Sequence, residues 1–365
     1  MNTPAVRSWL VATAILLSMV MSSTAFAQND SKDETATVAL PAAPLPYSTF
    51  ASPQARSRFA GLMEDTRAGK GPDSADIADQ RRFYQRYNDD RLREVQRLYR
   101  ADVEHGRLGG VPVDIVVPEQ GIASGNQHRV LINLHGGAFM WGAGSGALVE
   151  AIPIAVTGGI RVVAVDYRLA PEHRYPAGSE DVEAVYRELL KQYRAENIGI
   201  YGCSAGGALT AQATAWMRSH GLPRPGAIGT FCATGLPLGG DSATLGALAV
   251  GTPPMDSEGG GARLPYLARV SPADPLAYPG LSKETLAGFP PTLLLAGSRD
   301  FSASSLTTMH RRLLAAGVDA DLVLFDGLWH AFFVFPDLPE SQETYGIVAR
   351  FFDRHLGRAP RQTED

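Results

Sequence analysis

Residues 198–219 read IGIYGCSAGGALTAQATAWMRS, and this stretch decides the fold. Ile198–Tyr201 is a short β-type run. Gly202-Cys203-Ser204-Ala205-Gly206 follows at once and fits the pattern G-x-S-x-G, with Gly207 extending the small residues. Ala208–Ser219 is alanine-rich and free of breakers, as a helix is. A strand, a tight turn and a helix in succession are the setting in which this pattern lifts a serine above a sheet edge. Small neighbours let the backbone bend, and the helix N-terminus then lies under negative charge developing beside Ser204. Outside that setting the pattern is only a glycine-rich turn.

The same rhythm continues on both sides. The expected strands are Val111–Val117, Val130–Leu134, Arg161–Val165, Ile198–Tyr201, Ala227–Cys232, Thr292–Leu295 and Leu322–Phe325. Several are unbroken Val/Ile/Leu runs, the mark of parallel strands covered on both faces. Their alternation with helix-like runs predicts an α/β chain built on a βαβ sheet. Gly235–Phe289, rich in Gly, Pro and Ala, breaks the rhythm and reads as an insertion. No internal repeat is visible.

A serine nucleophile needs fixed N–H donors for the oxyanion it creates. His135-Gly136-Gly137-Ala138-Phe139 follows the strand Val130–Leu134, and its small residues expose such groups. Between this loop and Ser204 lies Asp166-Tyr167-Arg168-Leu169-Ala170-Pro171-Glu172-His173. HGGAF, DYRLAPEH and GCSAGG, in that order, resemble the bacterial hormone-sensitive-lipase-like family of α/β-hydrolase serine esterases. There is a weaker resemblance to the ε-lactone hydrolases of that family. The likeness covers about Val111 to Leu356. It implies an α/β-hydrolase fold, with a mostly parallel eight-stranded sheet, helices on both faces and a helical cap. It implies a serine carboxylesterase of short-chain acyl esters that needs no metal and no cofactor.

By that resemblance the oxyanion hole is Gly136, Gly137, Ala138 and Ala205. The N–H groups of Gly137, Ala138 and Ala205 donate, and Gly136 mainly permits the turn. Two residues depart from the family pattern. Ala138 replaces the third glycine, keeping its N–H but adding a methyl, and Cys203 replaces the aspartate before the serine. Cys203 is expected to point into neighbouring structure rather than at substrate.

This fold orders its triad as serine, acid, histidine. The histidines after Ser204 are His220, His310, His330 and His355. His330 lies just past the strand Leu322–Phe325, where a loop reaches back over the sheet. His220 ends the helix after the serine, and His310 and His355 lie in helical surface runs. Asp300 follows the strand Thr292–Leu295 and matches the family's acid position. Asp326 is its rival, on the histidine's own strand. The family's second acidic position reads as Ser304. The expected site is therefore Ser204, Asp300 and His330, with His135 ordering its loop. Phe139, Met140 and Trp141 are expected to border the substrate.

Other readings compete. Gly142-Ala143-Gly144-Ser145-Gly146-Ala147, with Asp166 beyond, approaches the dinucleotide fingerprint. That fingerprint leaves its strand at once, however, whereas His135–Trp141 intervenes here. A lactone hydrolase, a sugar-ester deacetylase and a non-catalytic binding module remain as alternatives on the same fold.

The flanks carry an address and a cap. Arg7, the apolar run Trp9–Met21 and Ala25-Phe26-Ala27 read as a signal peptide over residues 1–27, directing export to a periplasm or medium. The run is too short to cross a ~30 Å hydrocarbon core, so no stable membrane insertion is expected after cleavage. Residues 28–53 read as a flexible lead-in. Asp79–Glu104 reads as one amphipathic helix within an N-terminal cap over 54–110; Phe83, Tyr84 and Tyr87 either pack that cap, the preferred reading, or line the pocket. Residues 111–358 form the catalytic domain, with 235–289 as a candidate second cap, and 359–365 a tail.

Composition agrees with a globular chain, since 45% of residues are hydrophobic. A net charge of −5, with no basic block, excludes a nucleic-acid partner. The ligand is expected to be a small ester or lactone. Cys203 and Cys232 are too few for a disulfide framework and are expected to be buried thiols.

Overall fold

The computed structural model describes residues 44–251 and 264–357. The signal segment, residues 28–43, residues 252–263 of the insertion and the tail lie outside the described residues.

Eight strands form one sheet: β1 (Ala101–Leu108), β2 (Val111–Pro118), β3 (Val130–Leu134), β4 (Arg161–Val165), β5 (Ile198–Cys203), β6 (Ala227–Phe231), β7 (Thr292–Gly297) and β8 (Ala320–Phe325). Their spatial order is β1-β2-β4-β3-β5-β6-β7-β8. β1 and β2 run antiparallel, as do β2 and β4, and every later pairing is parallel. The α/β-hydrolase architecture is therefore present in full. Side chains alternate across the sheet: Val130, Ile132 and Leu134 join one core cluster and Leu131 the other. Helices α4 (Ala177–Leu189), α5 (Ala205–Ser219) and α8 (Ala303–Ala315) cover the first face. Helices α3 (Ser145–Gly158) and α9 (Pro339–His355) cover the second. This two-sided burial is why the central strands read as continuous apolar runs.

The N-terminal part departs from expectation in two places. The single helix expected over Asp79–Glu104 is α2, Ile77–Leu98, and the chain then enters β1. Residues 101–110 thus belong to the sheet rather than to the cap. β1 is an edge strand exposed along most of its length, so it lacks the apolar face that would mark it. Its turn to β2 uses Gly109 and Gly110, both at positive φ, as a tight hairpin requires. The described end of the lead-in is also not free. The Pro46 carbonyl accepts from Arg299 Nη2 at 2.7 Å, and Ser48 bonds Asp326. Ser52 donates to both carboxylate oxygens of Glu340 while its hydroxyl caps α1 (Pro53–Arg67). Polar residues that looked solvated are pinned by partners far along the chain.

Helix α2 lies against α3, and α1 touches α9. Gln85 Nε2 donates to Ser145 Oγ at 2.8 Å. A Cβ at Gly146 would meet Asn88 Nδ2 at 2.7 Å, and one at Gly142 would meet the Gly136 carbonyl at 2.2 Å. Gly142 and Gly146 of the dinucleotide-like segment are thus set by close packing, and Gly144 by its positive φ of 67°.

The insertion takes a different place from the one expected. Its α6 (Asp241–Ala249) docks on α8 by reciprocal bonds between Ser242 and Ser304, at 2.9 and 2.7 Å. It continues through the short α7 (Lys283–Leu286). None of its described residues borders the cavity beside Ser204.

Candidate active site

Ser204 sits at the turn between β5 and α5 with φ 57° and ψ −122°. A non-glycine residue held there is strained, and strain of this kind gathers at functional sites. The turn closes because its neighbours are small: a Cβ at Gly206 would come within 1.7 Å of the Leu134 carbonyl. The Ser204 N–H donates to the Phe231 carbonyl at 2.8 Å, tying the turn to β6.

His330 follows β8 and Asp300 follows β7, so both reach the same sheet edge as Ser204. His330 Nε2 lies 3.0 Å from Ser204 Oγ, and His330 Nδ1 lies 3.0 Å from Asp300 Oδ1. A carboxylate beside Nδ1 fixes the proton there and leaves Nε2 to accept from the serine hydroxyl. Asp300 is fully buried, and its Oδ1 also accepts from the Ser302 N–H at 2.9 Å and the Ser302 hydroxyl at 2.7 Å. The Phe301 ring stacks on the imidazole, centroids 4.3 Å apart. Ser302 and Phe301 were invisible in the sequence, because neither belongs to a recognisable spacing.

The competing residues are engaged elsewhere. Asp326 is exposed and accepts from Ser298 at 3.0 Å. His220 pairs with Glu183 at 2.8 Å, and His310 bonds the Ala320 carbonyl at 3.0 Å. His355 packs on Phe351.

The loop after β3 holds Gly136, Gly137 and Ala138, the residues expected to form the oxyanion hole with Ala205. Gly137, Ala138 and Phe139 all have positive φ. The N–H groups of Gly137 and Ala138 meet no backbone acceptor among the described residues. That of Ala205 opens α5, where no intrahelical acceptor exists. Gly136 differs from them: its N–H is committed to Glu150 Oε1 at 2.9 Å, so it is not a free donor. His135 orders this loop, with Nδ1 2.7 Å from the Gly136 carbonyl and its ring stacked on Tyr167. Burial pushes its pKa down to about 4, so the ring is neutral. Tyr167 donates to the His135 carbonyl at 2.7 Å, which accounts for part of the DYRLAPEH segment.

Of the three residues expected to border substrate, one lies at the cavity beside Ser204. Trp141 lines the cavity, whereas Phe139 and Met140 do not. The left-handed backbone at Phe139 turns its ring away, to stack on Tyr266 at 4.3 Å. Met140 is buried in the core. Phe83, Tyr84 and Tyr87, expected to pack the cap with pocket lining as the second reading, line the cavity together with Leu62 and Trp329. The cavity measures about 110 Å³ and reaches Ser204 and His330. Cys203 borders it too, but its thiol is buried against Cys232, in neighbouring structure as expected. Both are buried free thiols whose pKa burial raises. Cys232, Asp300 and His330 each bring a ligand atom within 4.8 Å of the others. A metal held there would displace the proton on His330 Nδ1.

Residues 131–334, more than half of the chain, match the family described as alpha/beta hydrolase fold. An esterase of the bacterial hormone-sensitive lipase family superposes with a TM-score of 0.72 at 30% identity, covering 84% of this chain and 100% of that one. This chain belongs to that family. Another esterase structure gives a TM-score of 0.75 at 28% identity, over 88% of this chain and 99% of the other. The esterase is also 28% identical over 269 residues to an acetyl-hydrolase of Streptomyces hygroscopicus, spanning 71% of this chain and 88% of that protein. It is a carboxylic ester hydrolase by family. The esterase carries one further buried acid at the site, Glu150, whose pKa burial lifts to about 8 against hydrogen bonds from Gly136, Asn133 and the Cys203 backbone.

Proposed function

We propose that the enzyme hydrolyses short-chain acyl esters through Ser204, His330 and Asp300 by way of an acyl-enzyme. The observation that carries this reading is the unbroken relay from Ser204 Oγ to His330 Nε2 and from His330 Nδ1 to Asp300 Oδ1, each link 3.0 Å. His330 takes the Ser204 proton as Oγ attacks the ester carbonyl carbon. Asp300 holds the imidazole tautomer and stabilises the imidazolium. The N–H groups of Gly137, Ala138 and Ala205 receive the oxyanion. His330 returns its proton to the leaving alcohol, and water, deprotonated by His330, releases the acid.

The short acyl preference rests on the cavity. A cavity of about 110 Å³, walled by Trp141, Tyr84 and Trp329, suits a short acyl chain better than a long one. The Streptomyces relative is named for acetyl hydrolysis, which agrees in scale.

The test is a series of p-nitrophenyl esters from acetate to palmitate, with Ser204→Ala as blank. Turnover greatest on acetate to butyrate and absent from the variant is the expected result. Equal rates in Ser204→Ala would overturn the serine mechanism. A maximum at palmitate would overturn the acyl preference.

A further inference from the structure

Glu150 is a carboxyl group on α3 that is only 6% exposed, and the steps above do not use it. Burying an acid costs free energy unless its oxygens find donors. The donors here come from around Ser204. Gly136 N–H meets Oε1 at 2.9 Å, and Asn133 Nδ2 on β3 meets Oε2 at 3.4 Å. The elbow lies against the same point. A Cβ at Gly136 would stand 3.5 Å from Glu150 Oε1, 3.1 Å from the Cys203 carbonyl and 3.5 Å from Ser204 Cβ. Glu150, the glycine loop and the serine turn thus converge. Among the described residues Glu150 provides the carboxyl group bonded to this loop. Cys203, in the position where the family resemblance expects an acid, offers only a thiol.

We propose that Glu150 is a positioning residue for the oxyanion hole: by holding the Gly136 amide it aims the next two N–H groups, of Gly137 and Ala138, at the carbonyl oxygen attacked by Ser204. The proposal rests on the serine mechanism above. Gly137 has φ 113° and Ala138 φ 53°; the Gly137 carbonyl accepts from the Met140 and Trp141 N–H groups, which holds the far side of the loop but not the side that enters it from β3. A fixed acceptor on Gly136 supplies the register from outside the loop. Donors that need no rearrangement during reaction stabilise the transition state most, so loss of this anchor reduces kcat rather than binding.

The experiment compares wild type with Glu150→Ala, Glu150→Asp and Glu150→Gln on p-nitrophenyl acetate. It also measures inhibition by a methyl trifluoromethyl ketone, which adds to Ser204 Oγ and leaves an alkoxide in the hole. Glu150→Ala is expected to lower kcat about 10-fold to 100-fold, with KM within about twofold. Affinity for the ketone should fall by the same factor. Glu150→Asp draws the carboxyl back from Gly136 and is expected to act similarly, which covers the case of an alanine variant that does not fold. Glu150→Gln keeps an acceptor for Gly136, while its NH₂ can face the unpartnered Asn133 Oδ1, and recovers most of the lost kcat. Unchanged kcat and ketone affinity in a folded Ala or Asp variant would overturn the proposal, as would a loss confined to KM. Full activity in Ser204→Ala would instead overturn the mechanism on which it rests, so the two failures are distinct.

Discussion

Arg81 donates to the carbonyl of Met140 through Nε at 2.8 Å. Its Nη2 reaches the Ala170 carbonyl at 3.0 Å, and both terminal nitrogens grip Glu172 at 2.8 and 2.7 Å. One planar fork on α2 therefore joins the cap to the loop after the proposed oxyanion donors and to the DYRLAPEH segment. Arg81→Ala releases all three. Small misplacements of positioning groups carry large kinetic costs, and kcat/KM on p-nitrophenyl acetate is expected to fall about tenfold. Arg81→Lys keeps the charge without the fork and is expected to recover little of the loss.

The proposed relay predicts strong non-additivity. Ser204→Ala and His330→Ala are each expected to lower kcat by at least about 10⁴-fold. The double variant should be no worse than the weaker single. Asp300→Asn, which permits the wrong tautomer, is expected to cost about 10⁴-fold with the fold intact by circular dichroism. Independent, multiplying losses would contradict a single serine–histidine unit.

Cavity size is set by stacked aromatics. Tyr84 and Trp141 lie 4.3 Å apart with planes 10° from parallel. Trp141→Ala opens this wall, and the preferred acyl chain is expected to lengthen from acetate toward hexanoate. Trp141 is almost fully buried, so the change should also cost about 3 to 5 kcal/mol in urea unfolding. An unchanged chain-length profile would mean that acyl groups bind elsewhere.

Two buried groups shape the stability profile in opposite directions. His135 titrates near pH 4 in the folded chain against 6.5 when free, so stability it confers is lost as pH falls through that window. Glu150 titrates near pH 8 against 4.5, so its contribution is full below pH 4.5 and lost as pH rises to 8. Between pH 4.5 and 6.5 the unfolded chain gains a proton on histidine and loses one from glutamate, and the two slopes cancel. The contribution of this pair is thus flat there and falls from pH 6.5 to 8. Glu150→Gln is expected to remove that fall, so its melting temperature should gain on wild type steadily from pH 5 to 8. A constant difference between the two would refute the assignment.

The central fold was legible because parallel strands buried on both faces leave apolar runs, and because Ser204, Asp300 and His330 each follow such a run. β1 escaped notice because an exposed edge strand has no apolar face to display. Phe139 was misplaced because spacing does not reveal side-chain direction when the backbone is left-handed. Arg81, Glu150 and Ser302 lay beyond reach for another reason. Their roles are made by what folds against them, and no local pattern records that.

The anchoring of Pro46, Ser48 and Ser52 to Arg299, Asp326 and Glu340 also bears on the order in which the molecule is made. A ribosome releases the cap segments first, yet the partners that fasten them emerge near the end of translation. Leu62, Phe83 and Tyr84, which wall the cavity, must wait for nearly the whole chain before they can settle. A nascent chain truncated before Arg299 holds a serine turn with neither its histidine nor a secured roof, so hydrolytic competence arrives only as synthesis finishes.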